Sequence, residues 1–274
     1  MVYGSMRFRS AAPLLSAVLA AALVIAAVEN SRAAPQFPFG RYFSAPEPEI
    51  PHFKYDGRFA LARLKYETGP GGYYYRGLPA WAHGWPRAEE NLMRILDAIT
   101  TIHPHQDETV VVALDDAELD KYPVAYMAEA GYWTMNAREA AGLRNYLLKG
   151  GFVIFDDFRP PPRGGGGWDN FAANMARVIP NGRWEPLTPS DTPFHVFFDI
   201  DSFAIIPQSY DMGRPEIYGL YEDNDRDKRL MAVANYNTDI SDFWEFSGTG
   251  MLPVEASNEA YEIGVNYVIY GLTH

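Results

Sequence analysis

Two short runs constrain this chain more than anything else in it. Residues 109–114 (TVVVAL) and 152–155 (FVIF) are wholly apolar but for Thr109, rich in β-branched or aromatic residues, and each stops at an aspartate pair, Asp115-Asp116 and Asp156-Asp157. A strand with one wet face alternates polar and apolar residues. An unbroken apolar run of this length predicts a strand buried on both faces, as in a parallel sheet covered by helices. The neighbouring segments supply those helices. Leu92, Ile95, Leu96 and Ile99 follow helical spacing after Pro86, with Glu89 and Glu90 near the positive end. Asn136 with Glu139 makes a capping-box variant, Ala140, Leu143 and Leu147 continue that helix, and Gly150-Gly151 stop it. Phe171, Met175, Val178 and Ile179 mark a third helix, and a last one is expected over about 258–272. Further strands are expected at 58–66, 123–127, 194–200 (FHVFFDI) and 229–236. The alternation predicts an α/β fold, an open, mainly parallel sheet with helices on both faces, in one domain over 58–274.

The N-terminus has a different character. Arg7 and Arg9 precede an uncharged run at 11–28, and Ser31-Arg32-Ala33 puts small residues at −3 and −1 of a cut after Ala33. Residues 1–33 are therefore expected to be a cleavable signal peptide, with a periplasmic or secreted product. An uncleaved anchor in the inner membrane is the alternative, because about 18 apolar residues is the lower limit for a span. No later segment is long and apolar enough, so no membrane span is expected after cleavage. Residues 34–57 hold five prolines without a period and are expected to form an arm or linker. The formal charge is −12, and removing the leader leaves 20 basic against 34 acidic residues, or −14. Such a surface repels phosphate backbones, so no nucleic-acid partner is expected. With no cysteine, disulfides, thiol nucleophiles and Cys-ligated metals are excluded.

LRNYLLKGGFVIFDDF (143–158), LDDAELDKYPVAYM (114–127) and NYNTDISDFWEF (235–246) together resemble the domain-of-unknown-function 4159 family of bacterial envelope proteins. The resemblance runs from about Arg58 to the C-terminus. It implies an envelope context and a sheet of the flavodoxin or class I glutamine amidotransferase-like type, in which the strand after the paired glycines leads into the active-site elbow. Glutaminase chemistry at that elbow needs a cysteine nucleophile with a histidine base. Here Asp156-Asp157 stand near that position, so that activity is excluded. The family also carries His-Asp-aromatic-Pro before its first helix, where this chain has His83-Gly84-Trp85-Pro86.

The candidate ligand-binding residues follow from the rule that open α/β folds bind ligands beyond the carboxyl ends of their strands. Asp156 and Asp157 end a buried strand. Either one contacts a metal or sugar hydroxyl while the other caps the next loop, or both satisfy backbone groups or pair with Arg159 or Arg163. Asp115 with Asp116 repeats the pattern: either the two pairs converge at one sheet edge, where crowded carboxylates bind a cation or shift a pKa upward, or they cap a helix or turn. Trp81, His83 and Trp85 follow the first strand in a glycine-rich loop, where aromatics either stack on a ligand or roof the core. Asn237 and Asp239, with Asn235, Asp242 and Trp244, form a polar ledge if NYNTDISDFW is extended, or cap turns if it is not. His195 is expected to be a structural histidine, His103 and His105 to lie in an exposed turn, and the glycine run 164–167 to form a mobile loop.

The expectation for function is an exported, nucleophile-less module that binds an envelope protein, glycan or peptide at the strand ends. The alternative is a hydrolase of cell-wall glycan or peptide that uses an aspartate with His83 or a divalent cation, the one cofactor expected. A purely structural partner-binding role, through the arm and Tyr73–Tyr75, is the third.

Overall fold

The computed structural model describes residues 47–74, 77–158, 167–204 and 214–274. The expected leader, most of the arm, the loop after Asp157 with its arginines and Gly164–Gly166, and Tyr75 lie outside the described residues. A compact unit extends over Ser44–His274.

Its strands are β1 (Ala62–Lys65), β2 (Glu67–Thr68), β3 (Val110–Ala113), β4 (Val124–Met127), β5 (Trp133–Thr134), β6 (Phe152–Phe158), β7 (Trp184–Leu187), β8 (Glu216–Tyr221) and β9 (Leu230–Tyr236). Its α-helices are α1 (Arg87–Ile99), α2 (Ala137–Leu148), α3 (Trp168–Val178), α4 (Ile240–Glu245) and α5 (Val254–Thr273). Seven strands make one sheet in the order β3-β1-β4-β6-β9-β8-β7, and β2 pairs with β5 in a small ribbon. The first five strands of the large sheet run parallel, while β8 pairs antiparallel with β9 and β7 antiparallel with β8.

The fully apolar strands are buried on both sides, as their composition demands. Ala125, Met127, Val153 and Phe155 pack on the face covered by α2 and α3. Val124, Tyr126, Phe152 and Ile154 pack on the opposite face, under α1, α4 and α5. The capping box at Asn136 forms, with Glu139 returning a bond to the Asn136 amide. None of the described helices is long and apolar enough to cross a membrane.

Three expectations need correction. Residues 194–200 are not a strand: a 3-10 turn at Thr192–Phe194 is followed by bends. His195 bonds Asp199 (2.9 Å) and the Pro189 carbonyl (2.6 Å), folding the segment onto itself. His195 is thus structural, although exposed. The ledge NYNTDISDFW is not extended, because the chain turns at Asn237 and winds into α4. Finally, His105 is buried, pinned between Asp56 (3.0 Å) and Glu108 (3.0 Å) with Phe53 edge-on at 4.9 Å. Residues 47–57 accordingly lie on the domain, with Ile50 and Phe53 against its core.

Helix α5 carries a pH-dependent contribution. Burial, with Glu262 alongside, pushes the half-buried Glu259 up to about 7 from its ordinary 4.5. The native state thus keeps a proton that the unfolded chain releases first. That contribution is complete below about 4.5 and is lost as pH rises through 7. Glu259→Gln is expected to raise stability at pH 8 by at most about 1 kcal/mol, given solvent screening, and to leave it unchanged at pH 4. Urea unfolding at both pH values measures this. Equal midpoints at pH 8 would mean that water already satisfies the carboxylate.

Candidate functional site

The chain leaves β1 toward β3 on one side and returns to β4 on the other, so a crevice opens where these two connections diverge. In parallel sheets such a point is where ligands bind, at the carboxyl ends of the strands. Three neighbouring strands put a left-handed, non-glycine residue there. Glu129 (φ 48°) follows β4, Asp157 (φ 59°) lies within β6, and Asn237 (φ 56°) follows β9. Each such residue costs about 1–3 kcal/mol and persists only where its surroundings hold it. Around Glu129 the holding group is Tyr66, whose buried hydroxyl donates to the carbonyls of Ala128 and Glu129, both at 2.9 Å. Around Asp157 the pairing of β6 with β9 shifts register between Phe155 and Phe158. This irregularity lets adjacent aspartates serve different neighbours.

His83 arrives from the loop after β1 and is held from below by Arg63. That guanidinium is fully buried, donating from Nε to Glu89 (2.5 Å) and from Nη1 to the carbonyls of Trp81 (3.1 Å) and His83 (3.0 Å). Burial alone would lower the Arg63 pKa, but the Glu89 carboxylate outweighs it and keeps the cation. Tyr74 adds a bond to the Ala82 carbonyl at 2.7 Å, and its ring lies 5.1 Å from the imidazole.

The imidazole of His83 sits between carboxylates. Its Nδ1 is 2.8 Å from Asp157 Oδ2 and 3.4 Å from Glu129 Oε1, and its Nε2 is 3.8 Å from Asp242 Oδ1. The ligand atoms of His83, Glu129 and Asp157 lie within 4.8 Å of one another, and so do those of His83, Asp242 and Glu245. Burial disfavours the charged imidazole, but the Asp157 and then the Glu129 hydrogen bonds hold its pKa far above the ordinary range. Gly84 (φ +71°) comes next, and a side chain there would face Glu245, with Glu245 Oε2 3.5 Å from a Cβ. An acidic side chain at this position would meet both that backbone strain and the Glu245 carboxylate.

Asp156 does not reach this cluster as a ligand. It is fully buried and accepts from Tyr126 Oη (2.6 Å), Asn235 Nδ2 (3.0 Å) and the Ser241 amide (3.2 Å), and Tyr267 completes the chain by donating to Asn235 at 2.8 Å. Its role is to tie α4 to the sheet. Burial, with Asp239 nearby, pushes it up to about 8. Asp239 caps α4 through Oδ1, accepting from Ser241 Oγ (2.8 Å) and the Asp242 amide (3.0 Å). Burial and Asp157 raise it to about 6, while burial and Asp239 raise Asp242 to about 9. These carboxylates cannot all ionise together: the cluster holds protons unless another cation enters.

Of the residues singled out in sequence, His83, Asp157 and Asp239 come together. Asp115 does not. It follows the edge strand β3, three strand spacings from β6 with β1 and β4 between, and pairs with Arg138 at 3.2 Å. At about 4.8 Å per strand the two aspartate pairs are some 14 Å apart. Trp81 is completely buried and Trp85 half-buried against it at 5.9 Å, so this pair roofs the core rather than facing a ligand. Trp244 is buried too. Asn237 is buried beside the Arg214 carbonyl, to which it donates at 3.0 Å. Glu129, Glu245 and Arg63 escaped the sequence reading. Glu129 was findable, since it follows the apolar run of β4 as Asp156-Asp157 follow that of β6. Arg63 stands between Ala62 and Leu64 in a strand, an anomaly that itself signals a buried ion pair.

A cleft of about 250 Å³ adjoins the cluster, lined by Gly71, Gly72, Tyr73, Tyr74, His83, Glu129 and Tyr132. It gives the imidazole and Glu129 access to a small ligand.

No curated protein matches the chain significantly. The family described as Domain of unknown function (DUF4159) matches over residues 60–272, which takes in β1 to α5 and every residue of the cluster. The chain belongs to that family.

Proposed function

We propose that the chain is an exported, envelope-associated binding module that accepts a cation at the carboxyl ends of its parallel strands and has no nucleophile of its own. The observation that carries this is the enclosure of one imidazole by Glu129, Asp157, Asp242 and Glu245 beside an open cleft. Such a site attracts positive charge and repels phosphate or carboxylate ligands. The parallel order β3-β1-β4-β6-β9 supports the flavodoxin or amidotransferase-like type of sheet. In that comparison β6 ends in two aspartates that are tied to neighbours, and no cysteine exists to replace them. Export rests on the basic start, apolar run and small-residue site of 1–33.

The test is thermal unfolding of the full chain with a divalent cation, a polyamine or inorganic phosphate. A ligand at 100 times Kd stabilises by about 2.7 kcal/mol. Cations are expected to raise Tm and phosphate is not. A shift with phosphate alone, or with nothing, removes the proposal.

A hydrolase acting on cell-wall glycan or peptide is the second reading, favoured by the raised pKa of Asp242, which lies across the His83 imidazole from Asp157. A proton donor and a base on either side of one imidazole suit general acid–base work. It predicts turnover of cell-wall fragments that is abolished in Asp242→Asn. Turnover unchanged in that variant would exclude this pairing.

A further inference from the structure

We infer that the cation this site takes is a single divalent transition-metal ion, bound by His83 Nδ1, Glu129 and Asp157, with Asp242 behind the imidazole as the residue that orients it. The inference deepens the cation-binding reading above and rests on it.

Geometry comes first. Metal–nitrogen and metal–oxygen bonds of about 2.0–2.2 Å put neighbouring ligand atoms roughly 2.8–3.5 Å apart. The separations of Nδ1 from Asp157 Oδ2 (2.8 Å) and from Glu129 Oε1 (3.4 Å) match that spacing. Three elements hold the ligands without needing the ion: Arg63 and Tyr74 fix the His83 loop, Tyr66 fixes the turn at Glu129, and the irregular register of β6 fixes Asp157.

The surroundings of the imidazole point the same way. A metal-bound histidine donates its second ring N–H to a carboxylate or carbonyl, which sets the tautomer and strengthens the ligand. Here Nε2 faces Asp242 Oδ1 at 3.8 Å while Nδ1 faces the two acids. At 3.8 Å the Asp242 contact is longer than a hydrogen bond, and it places a carboxylate on the side of the ring opposite the ligand position.

A second observation concerns a side chain that is not one of the three ligands. Asp239 is 2% exposed and its Oδ2 has no hydrogen-bond partner among the described residues. Its charge acts on both Asp157 and His83. A buried carboxylate oxygen with no donor is costly, and water held on a metal ion is a donor of the right kind. One nitrogen with two carboxylates favours manganese, iron or zinc over magnesium or calcium, which prefer oxygen alone. Three protein ligands leave positions open, and the cleft lined by Tyr73, Tyr74 and Tyr132 meets the site at Glu129 and His83. A ligand entering there would reach the ion directly.

The experiment is calorimetric titration of the metal-stripped full chain with Zn²⁺ and Mn²⁺, together with the absorption spectrum after Co²⁺ addition. About one ion per chain is expected. Asp157→Asn keeps a residue that tolerates the left-handed backbone, and Glu129→Gln removes the other carboxylate. Each is expected to weaken binding by more than the 10–100-fold typical of an outer-shell change, and Asp242→Asn by about that amount. The Co²⁺ spectrum of Asp242→Asn should shift while still showing a bound ion, which a merely structural role would not produce. If Asp157→Asn fails to fold, Glu129→Gln decides. No binding, or binding that both variants leave intact, overturns the metal assignment. Should divalent ions fail while a polyamine still raises Tm in an Asp157-dependent way, only the metal assignment falls. Failure of both removes the cation-binding reading as well.

Discussion

Arg63→Met is expected to lose roughly 3–5 kcal/mol of stability, the cost of leaving a buried charge without its partner. Arg63 and Glu89 have side-chain exposures of 0% and 3%, so water cannot take over for either. The guanidinium also lies 4.7 Å above the Tyr126 ring and satisfies two loop carbonyls. The double variant Arg63→Met, Glu89→Leu should recover most of the loss, because no isolated charge remains. It should stay about 1–3 kcal/mol below the original protein, since the carbonyls of Trp81 and His83 lose their donor. Urea unfolding of the three proteins measures both steps. The pair of variants also separates folding from function. The double variant regains stability but not the position of His83, so cation binding is expected to remain weakened. A single-variant loss under about 1 kcal/mol would mean that the pair behaves like an exposed one.

Trp244→Ala should cost a similar amount, roughly 3–5 kcal/mol, for a different reason. Trp244 fills the space between α4, α1 and α5. Its Nε1 donates to the Ala260 carbonyl at 2.9 Å, and its own carbonyl accepts from Asn91 Nδ2 at 2.8 Å. The ring lies 5.8 Å from Tyr126, and α5 approaches so closely that a Cβ on Gly264 would sit 2.5 Å from it. Truncation leaves a cavity that the surrounding helices cannot close and removes a second hydrogen bond from the Ala260 carbonyl, which keeps its donor within α5. Trp244→Phe, which keeps most of the volume, should lose about 1–2 kcal/mol. In a unit of this size 1 kcal/mol moves Tm by about 2–4 °C, so the alanine variant should melt some 6–20 °C lower. Helix α4 also carries Asp242 and Glu245, so the Nε2 side of His83 is expected to loosen with it. A melting temperature within 2 °C of the original would show that α4 contributes little to the core.

The two variants share a lesson about the site. Its functional atoms sit on loops, at the carboxyl end of β6 and on one short helix, but the groups that hold them belong to the core. Arg63, Tyr66 and Tyr126 come from or next to the central strands, and Trp244 is locked by α5. A site assembled this way is rigid without a bound ligand, and its geometry fails when the framework is disturbed.

Much of the fold was legible because it follows from short-range chemistry. The apolar runs of β3, β4, β6 and β9, the stripes of α1 to α3 and the Asn136 capping box each fall where their residues place them. Residues 194–200 misled, since alternating aromatics imitate a strand while Asp191, Pro193 and the His195–Asp199 pair bend the backbone. Strands β7 and β8 carry a proline and a glycine, Pro186 and Gly219, which hid them. They form because β9 offers an open edge to pair with.

For the site the division is similar. The residue types at the strand ends, the missing cysteine and the unusual loop around His83 were determined by the sequence alone. Which of them meet was decided by the strand order. Asp115 and Asp157 look equivalent along the chain, yet β1 and β4 lie between them, while Glu129, Asp157, Asp242 and Glu245 converge on one imidazole. Local periodicity places a residue on a strand or helix. Only the packing of strand against strand brings side chains 74 and 79 positions apart within hydrogen-bonding distance, as in His83–Asp157 and Asp156–Asn235, and only burial there makes their charges depend on one another.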